Sequence, residues 1–271
     1  MSQHTLEVIR TEATAPGRHP PVLFVHGSYC GAWVWREHFL PYFAERGVGS
    51  TAFSFRGHGH SEGRRSLHLL GVEDYVADLA QVAGTLEAPP LVVAHSLGAK
   101  VVQRYAERHP VAGVVFLAPV SPRGALGSAI SLATGAPLLW MQLLCAQTLG
   151  IDAVDPVLLG RSLFSADLEP AARERYARRF QPESSRVALE MGLQGAWPSL
   201  TRPITPSLVI GGDQDLLIPL LELETTAATF QADLQVIPGA NHLLMLDTCW
   251  KVVADRVLAW VGAQAALDRA A

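Results

Sequence analysis

Ser96 is the residue best placed to do chemistry. It follows the apolar run Leu91-Val92-Val93-Ala94 and His95, and it precedes Leu97-Gly98-Ala99, where a helical pattern begins. A serine on a tight strand-to-helix turn, with small residues two before and two after, is held away from the sheet with its hydroxyl free to attack. Ala94 stands where such turns often have a first glycine, and its single methyl is small enough for the position. The plainer reading is a serine that caps the helix through its side chain. A nucleophilic serine needs a base, and His242 ends the loop Pro238-Gly239-Ala240-Asn241-His242 after the last apolar run. Imidazole transfers protons near neutral pH. An acid that orients such a histidine has two candidates, Asp213 and Asp215, in Gly211-Gly212-Asp213-Gln214-Asp215. Their plainer reading is a solvated turn ahead of the helix near Pro219. Finally, His26-Gly27-Ser28-Tyr29 follows a strand-like run. There an N–H of Ser28 or Tyr29, together with that of Leu97, would meet a developing oxyanion, the glycine allowing a sharp turn. These residue types together suit acyl transfer through a covalent intermediate.

Such groups need elements to hold them. Short β-branched runs at 6–11, 22–26, 50–55, 91–94, 113–118, 207–210 and 234–237 read as strands. They alternate with helical patterns at 72–86, 99–108, 219–230 and 248–266. This rhythm predicts an α/β fold with a mostly parallel central sheet flanked by helices. It breaks between about residues 121 and 202, too long for an ordinary connection. The expected organisation is therefore a core of residues 1–120 and 203–271 with an inserted helical cap at 121–202.

The chain has 271 residues, 21 basic and 25 acidic, for a net charge of −4. Lys100 and Lys251 are its only lysines. No basic surface for nucleic acid or anionic lipid is expected. The cysteines Cys30, Cys145 and Cys249 lack the spacing of a thiolate metal site or a disulfide framework. No leader-like apolar segment opens the chain, so the expected location is cytoplasmic. Residues 124–151 carry no charge over 28 positions, long enough to span a bilayer. Gly127, Gly135, Pro137 and Gly150 interrupt them, with Ser128, Ser131, Thr134, Gln142 and Gln147 among their polar side chains, and buried or cap helices are expected instead of a stable membrane span.

The order serine, acid, histidine, each just past a strand, resembles that of the α/β-hydrolase superfamily, as do the motifs over residues 21–121 and 203–262. Arg56-Gly57-His58-Gly59-His60-Ser61 looks like the structural R-G-x-G-x-S turn of that superfamily. Its G-x-x-D-x-x-x-P pattern fits Gly212, Asp215 and Pro219, and this favours Asp215 over Asp213. The resemblance implies a Ser96–His242–Asp215 triad acting on an ester, or on a thioester or amide, with no metal and no organic cofactor. Ser96 disfavours relatives that use an elbow aspartate, and the lack of lysine between Lys100 and Lys251 disfavours the lyases. Cofactor-free dioxygenases, perhydrolases and a slow-turnover receptor of the same fold stay open. The expected partner is a small, largely apolar substrate, with a homodimer left open. Trp33, His95, Trp140 and Leu144 are the candidates for contacting that substrate, with Leu132, Leu138, Leu139, Met141 and Leu143 beside them.

Overall fold

The runs that are apolar at every position decide where the sheet sits. Successive side chains on a strand point to opposite faces, so an all-apolar strand needs cover on both. The computed structural model, which describes residues 3–14, 19–193 and 206–267, meets that demand. β2 (Val22–Val25), β3 (Ser50–Phe53), β4 (Leu91–His95), β5 (Gly113–Leu117) and β6 (Ser207–Gly212) are buried throughout. β1 (Val8–Thr11) and β7 (Asp233–Ile237) are half-buried and form the two edges of a seven-stranded sheet in the order β1-β3-β2-β4-β5-β6-β7. All neighbours are parallel except β1 with β3. The register aligns Val25, Ala94, Phe116 and Val209 across the four central strands.

Two apolar layers follow from the alternation. Phe24, Val93, Val115 and Leu208 point to one side and pack with α1 (Trp33–Arg36), α2 (Phe39–Glu45) and α11 (Trp250–Leu267). Leu23, Val92, Val114 and Val209 point to the other side, against α3 (Val72–Ala83), α4 (Leu97–Ala106) and α10 (Leu220–Phe230). Three helices differ from expectation at one end. α3 stops at Ala83, where the Gly84 N–H turns back to the Ala80 carbonyl. α4 starts two residues early because the elbow feeds straight into it, and α11 starts two residues late, after Asp247 has accepted the Thr248 N–H.

Between β5 and β6 lie α5 (Leu126–Gly135), α6 (Pro137–Leu149), α7 (Pro156–Leu163), α8 (Pro170–Ala177) and α9 (Ser185–Leu193). Three of them open on proline, which lacks the N–H that a first helical turn leaves unused. The uncharged stretch forms α5 and α6. Among the described residues no helix is long and apolar enough to cross a membrane. The second boundary expected for this insertion, at 202–203, lies outside the described residues.

Candidate active site

Ser96 sits at φ 50° and ψ −117°, a conformation that a residue with a β-carbon adopts only under strain. Its hydroxyl makes no cap to α4, which removes the plainer reading of this serine. The neighbouring glycines explain how the turn closes. A β-carbon at Gly98 would stand 2.4 Å from the His26 carbonyl oxygen, and one at Gly27 would stand 2.9 Å from the β-carbon of Ser96. Gly27 is thus needed for close approach, not for the sharp turn that the sequence suggests. The left-handed residue of this loop is Tyr29, at φ 61°.

Ser96, Asp215 and His242 come together although 146 residues separate the serine from the histidine. The Ser96 Oγ lies 3.1 Å from Nε2 of His242, and Nδ1 of His242 lies 2.8 Å from Oδ2 of Asp215. A carboxylate only accepts, so Nδ1 carries the proton and Nε2 turns its lone pair to the serine hydroxyl. Oδ1 of Asp215 accepts the N–H groups of Leu217 and Ile218 at 2.8 and 3.0 Å, which fixes the carboxylate. Asp213 instead accepts the Gly239 N–H at 2.7 Å in an exposed turn. The Leu97 N–H opens α4, where the first amides have no intrahelical acceptor and the helix dipole favours negative charge. Ser28 and Tyr29 stand beside Ser96 on the wall of the same cavity.

That cavity has a volume of about 400 Å³. Its wall runs from Ser96 and His242 through Leu132, Trp140, Leu143 and Leu144 to Leu159, Leu163, Phe180 and Met191, with no Asp, Glu, Lys or Arg side chain among them. Of the residues singled out above for substrate contact, His95, Trp140 and Leu144 line this cavity. Trp33 does not: it packs near Tyr176 and Phe180 under the Arg179 guanidinium. Leu138 and Met141 face solvent and Leu139 joins the core.

The sequence matches the model of the alpha/beta hydrolase family over residues 22–256. The chain belongs to that family. Similar members are a monoacylglycerol lipase of Mycolicibacterium smegmatis, 28% identical over 89% of this chain and 87% of the relative, and a non-heme haloperoxidase of Rhodococcus erythropolis, 26% identical over 88% and 91%. The crystal structure of a monoacylglycerol lipase from Paleococcus ferrophilus superposes with a TM-score of 0.71 at 22% identity, covering 95% of this chain and 99% of that one. Such a likeness shows the fold.

Two buried histidines hold the loops of this alpha/beta hydrolase. His26 receives the Phe55 N–H on Nε2 at 3.1 Å, and its Nδ1 lies 2.8 Å from the Gly27 carbonyl. His95 lines the cavity, and its Nε2 lies 3.0 Å from the His242 carbonyl, so it steadies the histidine loop. Burial, helped by His58, holds His26 down at about 3. Burial, helped by His242, holds His95 well below the ordinary value. Both are neutral in the native protein near pH 5 and charged in the unfolded chain, where imidazole titrates near 6.5. Asp78 works the other way. Burial raises it to about 6 against the pull of Arg56, so the native state keeps a proton that the unfolded chain has released. Near pH 5 unfolding therefore binds about two protons and releases about one. Stability is expected to fall as the pH drops through 5, by on the order of 1 kcal/mol per unit. Urea unfolding at closely spaced pH values measures this, and a profile that is flat or rises toward acid would overturn the balance argued from the two buried rings.

Sequence reasoning missed the residues that tie the connection between β5 and β6 to these loops. The Asn241 amide donates to the Phe164 carbonyl at 3.3 Å, and the Ser165 N–H and hydroxyl donate to the buried Asp247 at 2.7 and 2.5 Å. On the other side the Gln181 N–H donates to the Tyr29 carbonyl at 2.8 Å. No local pattern marks partners 77 to 152 positions apart.

Proposed function

We propose that this protein hydrolyses carboxylic esters of small, largely apolar substrates through an acyl-enzyme on Ser96. The observation that carries the proposal is the unbroken Asp215–His242–Ser96 hydrogen-bond chain at the wall of an apolar cavity. His242 Nε2 takes the Ser96 proton as Oγ attacks the acyl carbon. The N–H of Leu97 and that of Ser28 or Tyr29 hold the negative oxygen. The intermediate collapses, the bond to the leaving oxygen breaks, and His242 gives that oxygen the proton. A water then loses a proton to His242 and attacks the acyl carbon, and the acid leaves as Ser96 regains its hydrogen. The lipase relative supports an ester substrate. Residues 121–202 act as a cap that supplies most of the acyl wall, and the three unpaired thiols suit a cytoplasmic location. No step needs a metal or an organic cofactor.

A series of p-nitrophenyl esters of increasing acyl length tests this. Each buried methylene contributes about 0.8 kcal/mol, so kcat/KM is expected to rise about fourfold per carbon while the chain finds apolar wall. At roughly 30 Å³ per heavy atom the cavity fills near a dozen atoms, and the rise should stop there. A flat profile from acetate upward would overturn the assignment of the cavity to the acyl chain. The haloperoxidase relative supports a second reading, peroxide-dependent chemistry on the same serine. Bromination with peroxide and acetate that outpaces hydrolysis of every ester would favour it. One equivalent of nitrophenol followed by a stall would favour a slow-turnover receptor.

A further inference from the structure

Tyr29 carries a side chain in a left-handed conformation, φ 61°, which an L-residue keeps only when its surroundings hold it there. Two bonds do so, and both come from residues 121–202. The Gln181 N–H donates to the Tyr29 carbonyl at 2.8 Å, and the Tyr29 hydroxyl donates to Oε1 of Gln147 at 2.9 Å. Burial, with the Glu183 charge adding, pushes the phenol well above its ordinary range, so it stays a donor. Gln147 is itself aimed: its amide nitrogen lies 3.2 Å from the Ser185 hydroxyl and 3.5 Å from the Glu183 carbonyl.

The Gln181 end of this clamp is anchored to the core without Gln147. Oε1 of Gln181 accepts the Gly59 N–H at 2.8 Å, and the Ser184 hydroxyl donates to the Leu70 carbonyl at 2.6 Å. The buried Glu183 carboxylate accepts the Tyr75 hydroxyl at 2.8 Å and lies 3.5 Å from Nε2 of His58. Removing the Gln147 amide therefore frees the Tyr29 ring while leaving the segment around Gln181 seated.

We propose that Gln147 is a positioning residue for the oxyanion loop: by accepting the hydrogen bond of the Tyr29 hydroxyl it keeps the Ser28–Tyr29 peptide turned so that a loop N–H meets the substrate's carbonyl oxygen. The inference rests on the hydrolytic reading above. A group that serves the oxyanion matters more to the tetrahedral state than to bound substrate, so its loss lowers kcat and leaves KM in place. Gln147 also lines the cavity, and a mere acyl contact would give the reverse.

The test compares wild type, Gln147→Leu, Tyr29→Phe and the double variant on p-nitrophenyl butyrate. It adds their affinities for butylboronic acid, which becomes tetrahedral on an activated serine. Each single change is expected to lower kcat about tenfold, short of the loss of an entire oxyanion donor. KM should stay within about twofold, boronate affinity should fall in parallel, and the double variant should be no worse than either single. Wild-type kcat in Gln147→Leu, an effect in KM alone, or losses that multiply in the double variant would overturn the proposal. Should Gln147→Leu fail to fold, Tyr29→Phe decides alone, since it removes one hydroxyl: unchanged kcat and boronate affinity would overturn the proposal. Labelling with a fluorophosphonate separates the two levels. An unlabelled wild type sinks the hydrolytic reading, whereas equal labelling rates for wild type and Gln147→Leu sink only the role of Gln147.

Discussion

Ser96→Ala is expected to lower kcat on an activated ester by about 10⁴–10⁶ and to leave the fold unchanged. The size follows from the role proposed for Ser96, whose Oγ would bond to the acyl carbon, so its loss removes the covalent route and not one contact among many. The intact fold follows from what the hydroxyl does not do. It makes no cap to α4, and its recorded partner is His242. Alanine also keeps the β-carbon, so the backbone strain at φ 50° is unchanged. Steady-state rates, the thermal midpoint and the mass of a fluorophosphonate-treated sample check all three statements together. A variant with near-full turnover would end the assignment of Ser96, whatever its stability.

Asp215→Asn is expected to lower kcat by about 10⁴, and Asp213→Asn by less than about twofold. The asparagine at 215 still has an oxygen for the N–H groups of Leu217 and Ile218. Its amide then faces Nδ1 of His242, which must accept instead of donate. The ring proton moves to Nε2 and points at the Ser96 hydroxyl, so the base is lost while the geometry persists. At 213 the carboxylate accepts from Gly239 and the Gln214 amide, and asparagine oxygen can accept from both. The two variants differ by one atom at positions two residues apart, and equal losses at both would discard the orienting role of Asp215.

The strands were legible because burial on both faces leaves nothing but apolar residues, as in Leu91-Val92-Val93-Ala94. The relative order of Ser96, Asp215 and His242 was legible because each follows such a run. The two acids after β6, Asp213 and Asp215, were not separable by spacing alone, since the choice depends on which carboxylate lies near His242. The pocket wall was legible only in part. α6, with the sequence PLLWMQLLCAQTL, is apolar on nearly every side, so a period of 3.6 names no inward face. Trp140 and Leu144 turn to the cavity while Leu138 and Met141 turn to water. The link from Tyr29 to Gln147 spans 118 positions, and a glutamine on α6 carries no pattern that points to it.

The sheet order also has a consequence for when this chain becomes active. β7 is the last strand in sequence and lies at the sheet edge, and His242 follows it by a few residues. A nascent chain that has left the ribosome only as far as α10 carries Ser96 and Asp215, the proposed nucleophile and acid, but not His242, the proposed base. With the roles proposed above, turnover starts only after β7 and the loop to His242 have been made and that strand has docked on β6. During refolding, the return of hydrolysis times the closing of that edge and is blind to every earlier step.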